Sequence, residues 1–158
     1  MPRGGGRLTA LRPSEQSRAL LRRDLLPSMR MKLVTHSPTA GIYPATPDYV
    51  HALEVRQPDR ILFVSGTMGL DQHGMAGKSL EEQLDLVWSN IRTILASAAM
   101  TTENIVRLTS YLRDAAYADA NAAARVRALG ERRIPTTAIV AETLVSDWLV
   151  EIEVIAAA

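Results

Sequence analysis

Between Ser79 and Met100 the chain carries its most restrictive pattern. Apolar residues fall at 80, 84, 87, 91, 94, 95 and 98, and this three-four spacing puts them on one face of a helix. Ser79 is a good N-cap, and Glu82 three residues on completes a capping box. Glu81, Glu82 and Asp85 lie near the end where the helix dipole favours carboxylates. A long one-sided helix must bury that side against another layer, so its neighbours in sequence decide the fold class.

Those neighbours are written mostly in period two. Ile61-Leu62-Phe63-Val64 is an apolar run ending on Ser65-Gly66. It reads as a buried strand. Its end either brings a hydroxyl and accessible backbone to the rim of a sheet, or is a plain turn containing Ser and Gly. Upstream, Met31 to His36 is a first strand, and Pro38, Gly41, Pro44 and Pro47 break the chain into a loop. Asp48 to Val55 is a second strand, and the turn Gln57-Pro58-Asp59 makes the 61–64 run its hairpin partner. Downstream, Glu103 to Leu112 alternates, with Val106, Leu108, Ser110 and Leu112 on one side and Ile105, Arg107, Thr109 and Tyr111 on the other. Asp114 caps a second, Ala-rich helix that runs to about Leu129 and stops at Gly130. Thr136 to Val140 and Trp148 to Ile155 are the last strands.

The order β-β-β-α-β-α-β-β predicts an α+β domain, with two helices against one face of a mixed sheet. Residues 61–64 and 138–140 are apolar on both faces of their strands. A second apolar face that the helices cannot cover predicts a partner, and the simplest partner is another copy of the chain.

The 158 residues suffice for one domain with a proper core. The net charge of +1 does not mark the whole molecule as a nucleic-acid binder. The balance is uneven. Residues 1–30 hold seven Arg against Glu15 and Asp24, a net of +5, which leaves −4 on residues 31–158. The basic stretch reads as an appendage to a 31–158 domain: a tail or peripheral helix, an Arg-rich targeting peptide, or an untranslated lead ahead of a start at Met29 or Met31. No Cys is present, which excludes disulfides and thiolate chemistry and fits a reducing, cytoplasmic setting. His36, His51 and His73 match no metal-binding spacing, so no metal is expected. No apolar run has the length of a membrane span. One Phe and two Trp make a poor stacking platform for single-stranded nucleic acid.

Chemistry-bearing positions are few. Glu151 and Glu153 share one strand face, roughly 7 Å apart, between Leu149 and Ile155. Such a pair serves acid/base work, or it is a solvated face or oligomer rim with the acids paired to Arg107 or Arg92. Tyr49, Ser65 and Asn121 are single polar groups with no partner deducible from spacing. There is no phosphate-binding loop, nucleophile elbow or dinucleotide fingerprint.

Taken together, several stretches resemble the Rid family of reactive-intermediate deaminases, also called YjgF-type or L-PSP endoribonuclease-like proteins. They are Leu62-Phe63-Val64-Ser65-Gly66, Glu82-Gln83 to Asn90-Ile91, Val106 to Asp114, Ala120-Asn121, and Val150-Glu151-Ile152-Glu153-Val154-Ile155-Ala156. The likeness covers about residues 31–158. It implies a chorismate mutase-like fold with a six-stranded mixed sheet. It further implies a homotrimer whose sheets face inward as a barrel, with clefts between subunits. Active members hydrolyse 2-iminoacids or their enamines to 2-oxoacids and ammonia without metal or organic cofactor. By position, Glu151 matches the water-handling glutamate, Ser65 and Gly66 the pocket serine and glycine, Tyr49 the pocket tyrosine and Asn121 the helix asparagine. Counting back from Glu151 without a gap puts the family's substrate-binding arginine on Thr136, in Ile134-Pro135-Thr136-Thr137. Thr donates one neutral hydrogen bond and cannot pair with a carboxylate as guanidinium does. A shift of Arg133 into the cleft is the alternative source of a cation. The resemblance thus implies a deaminase with altered substrate preference, or a trimer that binds a small metabolite without catalysis. RNA cleavage is the weaker third possibility.

Overall fold

The structure is a computed structural model that describes residues 30–158. The basic stretch expected at 1–30 lies, but for Arg30, outside the described residues. Among these, the elements are β1 (Lys32–His36), β2 (Ala52–Arg56), β3 (Ile61–Met68), α1 (Leu80–Ser97), β4 (Ile105–Leu112), α2 (Ala118–Leu129), β5 (Thr136–Val140) and β6 (Val150–Ala157). The expected order holds. The expected single six-stranded sheet does not: β1 and β2 form a two-stranded sheet, and a separate four-stranded sheet runs β3-β6-β4-β5.

The 57–59 turn therefore joins strands of two sheets, and the expected hairpin of β2 with β3 is replaced by antiparallel pairs β1–β2 and β3–β6. The cause is local. Gln57 sits at φ 54°, and Pro58 has no N–H for a ladder. Just beyond, the Asp59 and Arg60 N–H groups both donate to the Ala158 carbonyl, and Ala158 N–H donates to Arg60. The long alternating β6 thus captures β3 along its length. β4 pairs antiparallel with β6 and parallel with β5, which makes the sheet mixed.

Helix α1 starts as its cap predicts, with Ser79 Oγ accepting from Glu82 N–H. The return bond reaches one residue further back than in a capping box, from Lys78 N–H to Glu82 Oε2. Leu84, Val87, Ile91 and Leu95 are buried as the spacing requires, joined by Trp88 and Gln83, while Ile94 stays 37% exposed. Burying each large aliphatic side chain is worth about 1.5–3 kcal/mol. Gln83 replaces an apolar contact with three bonds: its Nε2 donates to Gly77 and Asp147 carbonyls, and its Oε1 accepts from Leu149 N–H. That ties the chain entering β6 to α1. Asp114 caps a 3₁₀ turn (Ala115–Tyr117) that leads into α2, rather than α2 itself, and Gly130 ends α2 at φ 62°.

Both helices contribute to one core with the inner sides of β3, β4 and β6: Val64, Leu108, Leu112, Ile152 and Val154 pack with Leu84, Ile91, Leu95, Ala124 and Leu129. The opposite face of the four-stranded sheet is left open by the described residues. It is apolar at its margins, where Ile61, Phe63 and Ile139 are 53%, 73% and 47% exposed. Its centre is polar, not apolar as the 61–64 and 138–140 runs imply, because β4 and β6 turn Arg107, Thr109, Tyr111, Glu151 and Glu153 outward. No helix among the described residues is long and apolar enough to cross a membrane.

Candidate functional site

The open face gathers four of the residues singled out by sequence, Ser65, Gly66, Glu151 and Glu153. Pairing of β3 with β6 slips between Val64 and Thr67, and such irregularities re-aim side chains. Ser65 falls in this slip and is exposed. Beside it Gly66 lets the Glu151 carboxylate rest against β3: a methyl group there would lie 1.7 Å from Glu151 Oε1. Gly66 and Glu151 are therefore in close approach, with Ser65 the preceding residue in the chain, and the small residue at 66 is what allows it.

Glu151 and Glu153 do share a face, as period two demands. Glu151 stands opposite Tyr111, and Glu153 opposite Thr109. The Tyr111 hydroxyl donates to Glu153 Oε1 at 3.1 Å. That bond to a carboxylate, with burial and the nearby charges of Glu153 and Glu151, holds the phenol above its ordinary pKa. Neither glutamate is ion-paired to Arg107 or Arg92 among the described residues. Arg107 instead donates from Nη2 to Thr137 Oγ1 at 2.7 Å. A hollow of about 390 Å³ joins Ser65, Arg107, Thr109 and Glu153 with Phe63 and Ile155. A second, of about 740 Å³, is also lined by Ser65 and extends to Met68, Asn90 and Ile94.

The remaining sequence candidates lie elsewhere within the chain. Thr136 pairs with Leu108, a core position, so its side chain is on the helix-covered side. There Arg125 Nη1 donates to its hydroxyl at 2.6 Å. The same guanidinium is ion-paired to Asp48, with the Arg125 side chain 10% exposed and that of Asp48 35%. The Asp48 carboxyl is held below its ordinary range, first by the Thr46 hydroxyl and then by Arg125, against the opposing effect of burial. Asn121 lies one helical turn before Arg125, buried, with Oδ1 unpartnered among the described residues. Tyr49 meets His51 edge to face and lines a third hollow, of about 860 Å³, with Arg133. Arg133 is thus near Tyr49 rather than on the hollow shared by Ser65 and Glu153. Arg132 is committed to the Thr102 and Ile105 carbonyls, and burial lowers its pKa.

Sequence reasoning named Arg107 only as a possible partner for the acids and did not single out Arg125 or Tyr111. The alternation of β4 already set Arg107, Thr109 and Tyr111 on one side. What it could not give is the register that lays them beside Glu151 and Glu153. Arg125 carried one signal, its i, i+4 spacing from Asn121. Among the described residues no group of three or more His, Asp or Glu is placed to hold a metal ion.

Fold and site define an α+β domain with one helix-covered sheet face and one open face that carries an acid-bearing polar strip. The family model described as Endoribonuclease L-PSP matches residues 41–158, and the chain belongs to this family, the Rid or YjgF-type proteins. The match includes the open face and the Thr136 region. A crystal structure of a protein of unknown function of the conserved Rid family, YyfB from Yersinia pestis, is 25% identical with a TM-score of 0.67, covering 80% of this chain and 98% of that one. RidA from the Antarctic bacterium Psychrobacter is 22% identical with a TM-score of 0.60, over 77% and 94% of the two chains, a likeness of fold alone. A RutC family protein from Aquifex aeolicus is 34% identical over 67 residues. That stretch is 42% of this chain and about half, 51%, of the relative's length.

Proposed function

We propose that this chain is a deaminase-like hydrolase of small imines or enamines, acting in clefts that further copies of the chain complete. The observation that carries the reading is the close approach of Glu151 to Gly66, next to the exposed Ser65, on a sheet face that no described residues cover. Hydrolysis of a C=N bond needs a water delivered to carbon and a proton delivered to nitrogen. The Glu151 carboxylate relays one proton from the water to nitrogen as the water oxygen bonds to carbon and the C=N bond becomes single. It then relays the proton of the resulting hydroxyl to nitrogen as the C–N bond breaks, ammonia leaves and the carbonyl forms. Ser65 orients the C=N group by a hydrogen bond, and the close Gly66 backbone limits where the substrate can lie. Exposed Ile61, Phe63 and Ile139 on the same face support assembly into a homotrimer with the sheets inward.

A second reading, a trimer that binds a small metabolite without catalysis, is favoured by Thr136, which is not an arginine and is already bonded by Arg125. One assay separates the two. 2-Iminobutanoate is generated in situ by an amino-acid oxidase, and release of 2-oxobutanoate is timed with and without the protein. Acceleration over buffer is expected, and its absence removes the deaminase reading. Sedimentation is expected to give about three times 17.3 kDa, and a monomer overturns the shared cleft. RNA cleavage is the weakest reading, because Glu151 and Glu153 on the open face would repel phosphate. A nuclease signal that disappears on repurification discards it.

A further inference from the structure

We infer that Arg107 and Glu153 form a two-ended subsite on the open face for a small zwitterion: Arg107 takes a carboxylate, and Glu153 takes a protonated nitrogen on the adjacent carbon. The inference rests on the reading above that this face binds a small metabolite, and names the ligand class and the residues that select it.

The cation is prepared for a ligand. Arg107 is partly buried on β4, and Thr137 on the neighbouring strand holds one end of its guanidinium at 2.7 Å. No carboxylate lies within ion-pair distance of it among the described residues. Its remaining N–H groups have no partner there. A guanidinium fixed at one edge and open at the other matches a carboxylate in a bidentate pair.

The anion is prepared likewise. Glu153 faces the same hollow, and Tyr111 holds its Oε1, while Oε2 has no hydrogen-bond partner among the described residues. Ser65 and Thr109 supply hydroxyls to the hollow, and Phe63 and Ile155 supply an apolar wall. The volume, about 390 Å³, is at the small end for ligand sites.

Charge then selects the ligand. A molecule bearing only a carboxylate gains Arg107 but meets Glu153 and, one step along β6, Glu151. A molecule bearing only a cation gains the acids but meets Arg107. In a partly desolvated hollow each unpaired charge is costly. An α-amino acid or a protonated 2-iminoacid with a short side chain satisfies both ends at once, and its side chain meets the Phe63–Ile155 wall.

The test is an NMR titration of the full chain with three stable probes: L-2-aminobutanoate (both charges), 2-oxobutanoate (carboxylate only) and 1-propanamine (cation only). The zwitterion is expected to bind at least tenfold more tightly than either single-charge probe. Arg107→Met should weaken its binding by about thirtyfold or more, with Arg107→Lys in between, since a point charge keeps attraction but not the fork. Glu153→Gln should weaken the zwitterion and leave 2-oxobutanoate equal or tighter. Circular dichroism checks that each variant folds. Equal affinity for the three probes, no binding of any probe to the parent, or an Arg107→Met variant that binds the zwitterion as the parent does would each overturn the subsite. The outcome is separable from the deaminase reading. Arg107-dependent binding without imine hydrolysis removes the deaminase and leaves the subsite. Hydrolysis that survives Arg107→Met with unchanged KM removes the subsite and leaves the deaminase.

Discussion

Gly66→Ala separates what the open face does for stability from what it does for chemistry. The added methyl would lie 1.7 Å from Glu151 Oε1, 2.7 Å from its carboxyl carbon and 3.0 Å from Cγ. Ordinary contact begins at 3.4 Å, so the carboxylate oxygen must retreat by about 1.7 Å. The three nearest atoms all belong to one flexible, partly exposed side chain, so a change of the Glu151 rotamer is what relieves the contact. Moving it off its preferred rotamer costs about 0.5–1.5 kcal/mol. For a chain of this size that lowers Tm by about 2–4 °C per kcal/mol. Catalysis is less tolerant, since a misplacement of about 1 Å can cost up to ~100-fold. The expected result is a variant whose Tm falls by a few degrees and whose kcat/KM for in-situ 2-iminobutanoate falls by ~10–100-fold. Calorimetry and the 2-oxobutanoate release assay measure the two. A kcat/KM within twofold of the parent would refute the claim that Gly66 positions Glu151. A fall in Tm of more than ~8 °C would show that the methyl strikes backbone or core instead.

Three further outcomes follow from the same contacts. Gln83→Leu leaves the Leu149 N–H and the Gly77 and Asp147 carbonyls without their partner; it should lower stability by about 2–4 kcal/mol in urea unfolding, and a loss below ~1 kcal/mol contradicts the anchoring role. Asp48→Ala should destabilise more than Arg125→Met, because the guanidinium is the more buried partner, 10% against 35% exposed, and an unpaired charge costs more where it is less solvated; the reverse order in denaturant midpoints would sink that argument. Glu54, held at about 2 against an ordinary 4.5 first by the Arg56 hydrogen bond and then by His36, contributes stability that is full above pH 4.5 and is lost as pH falls toward 2. A carboxyl-carbon NMR titration should find the low midpoint and see it rise toward 4.5 in Arg56→Gln; an unmoved midpoint refutes the assigned cause.

Much of this protein was legible from local pattern. The spacing from Leu80 to Ala98 fixes α1, because one helical face must be apolar for a helix to dock on a sheet. The alternation in Ile105–Leu112 and Val150–Ala157 fixes which residues share a side, so Glu151 and Glu153 fall together and Arg107 falls with Tyr111. Turn chemistry at Gly130, with its positive φ, and capping by Ser79 fix element ends. These are short-range facts, settled by the sterics and hydrogen bonds of neighbours in the chain.

Sequence did not fix the partner of each strand. A turn at Gln57-Pro58-Asp59 reads as a hairpin, yet β3 goes to β6 because the far end of the chain supplies a longer apolar ladder and the Ala158 bonds that close it. That choice brings Glu151 to Gly66 from 85 residues away in sequence. It also sets Thr136 on the covered side under Arg125 while its neighbour Thr137 meets Arg107 on the open side. A shift of one residue would exchange those two faces. The sequence by itself determined which residues could act. Only the tertiary structure, by choosing strand partners and register, decided which of them face one another across the open sheet.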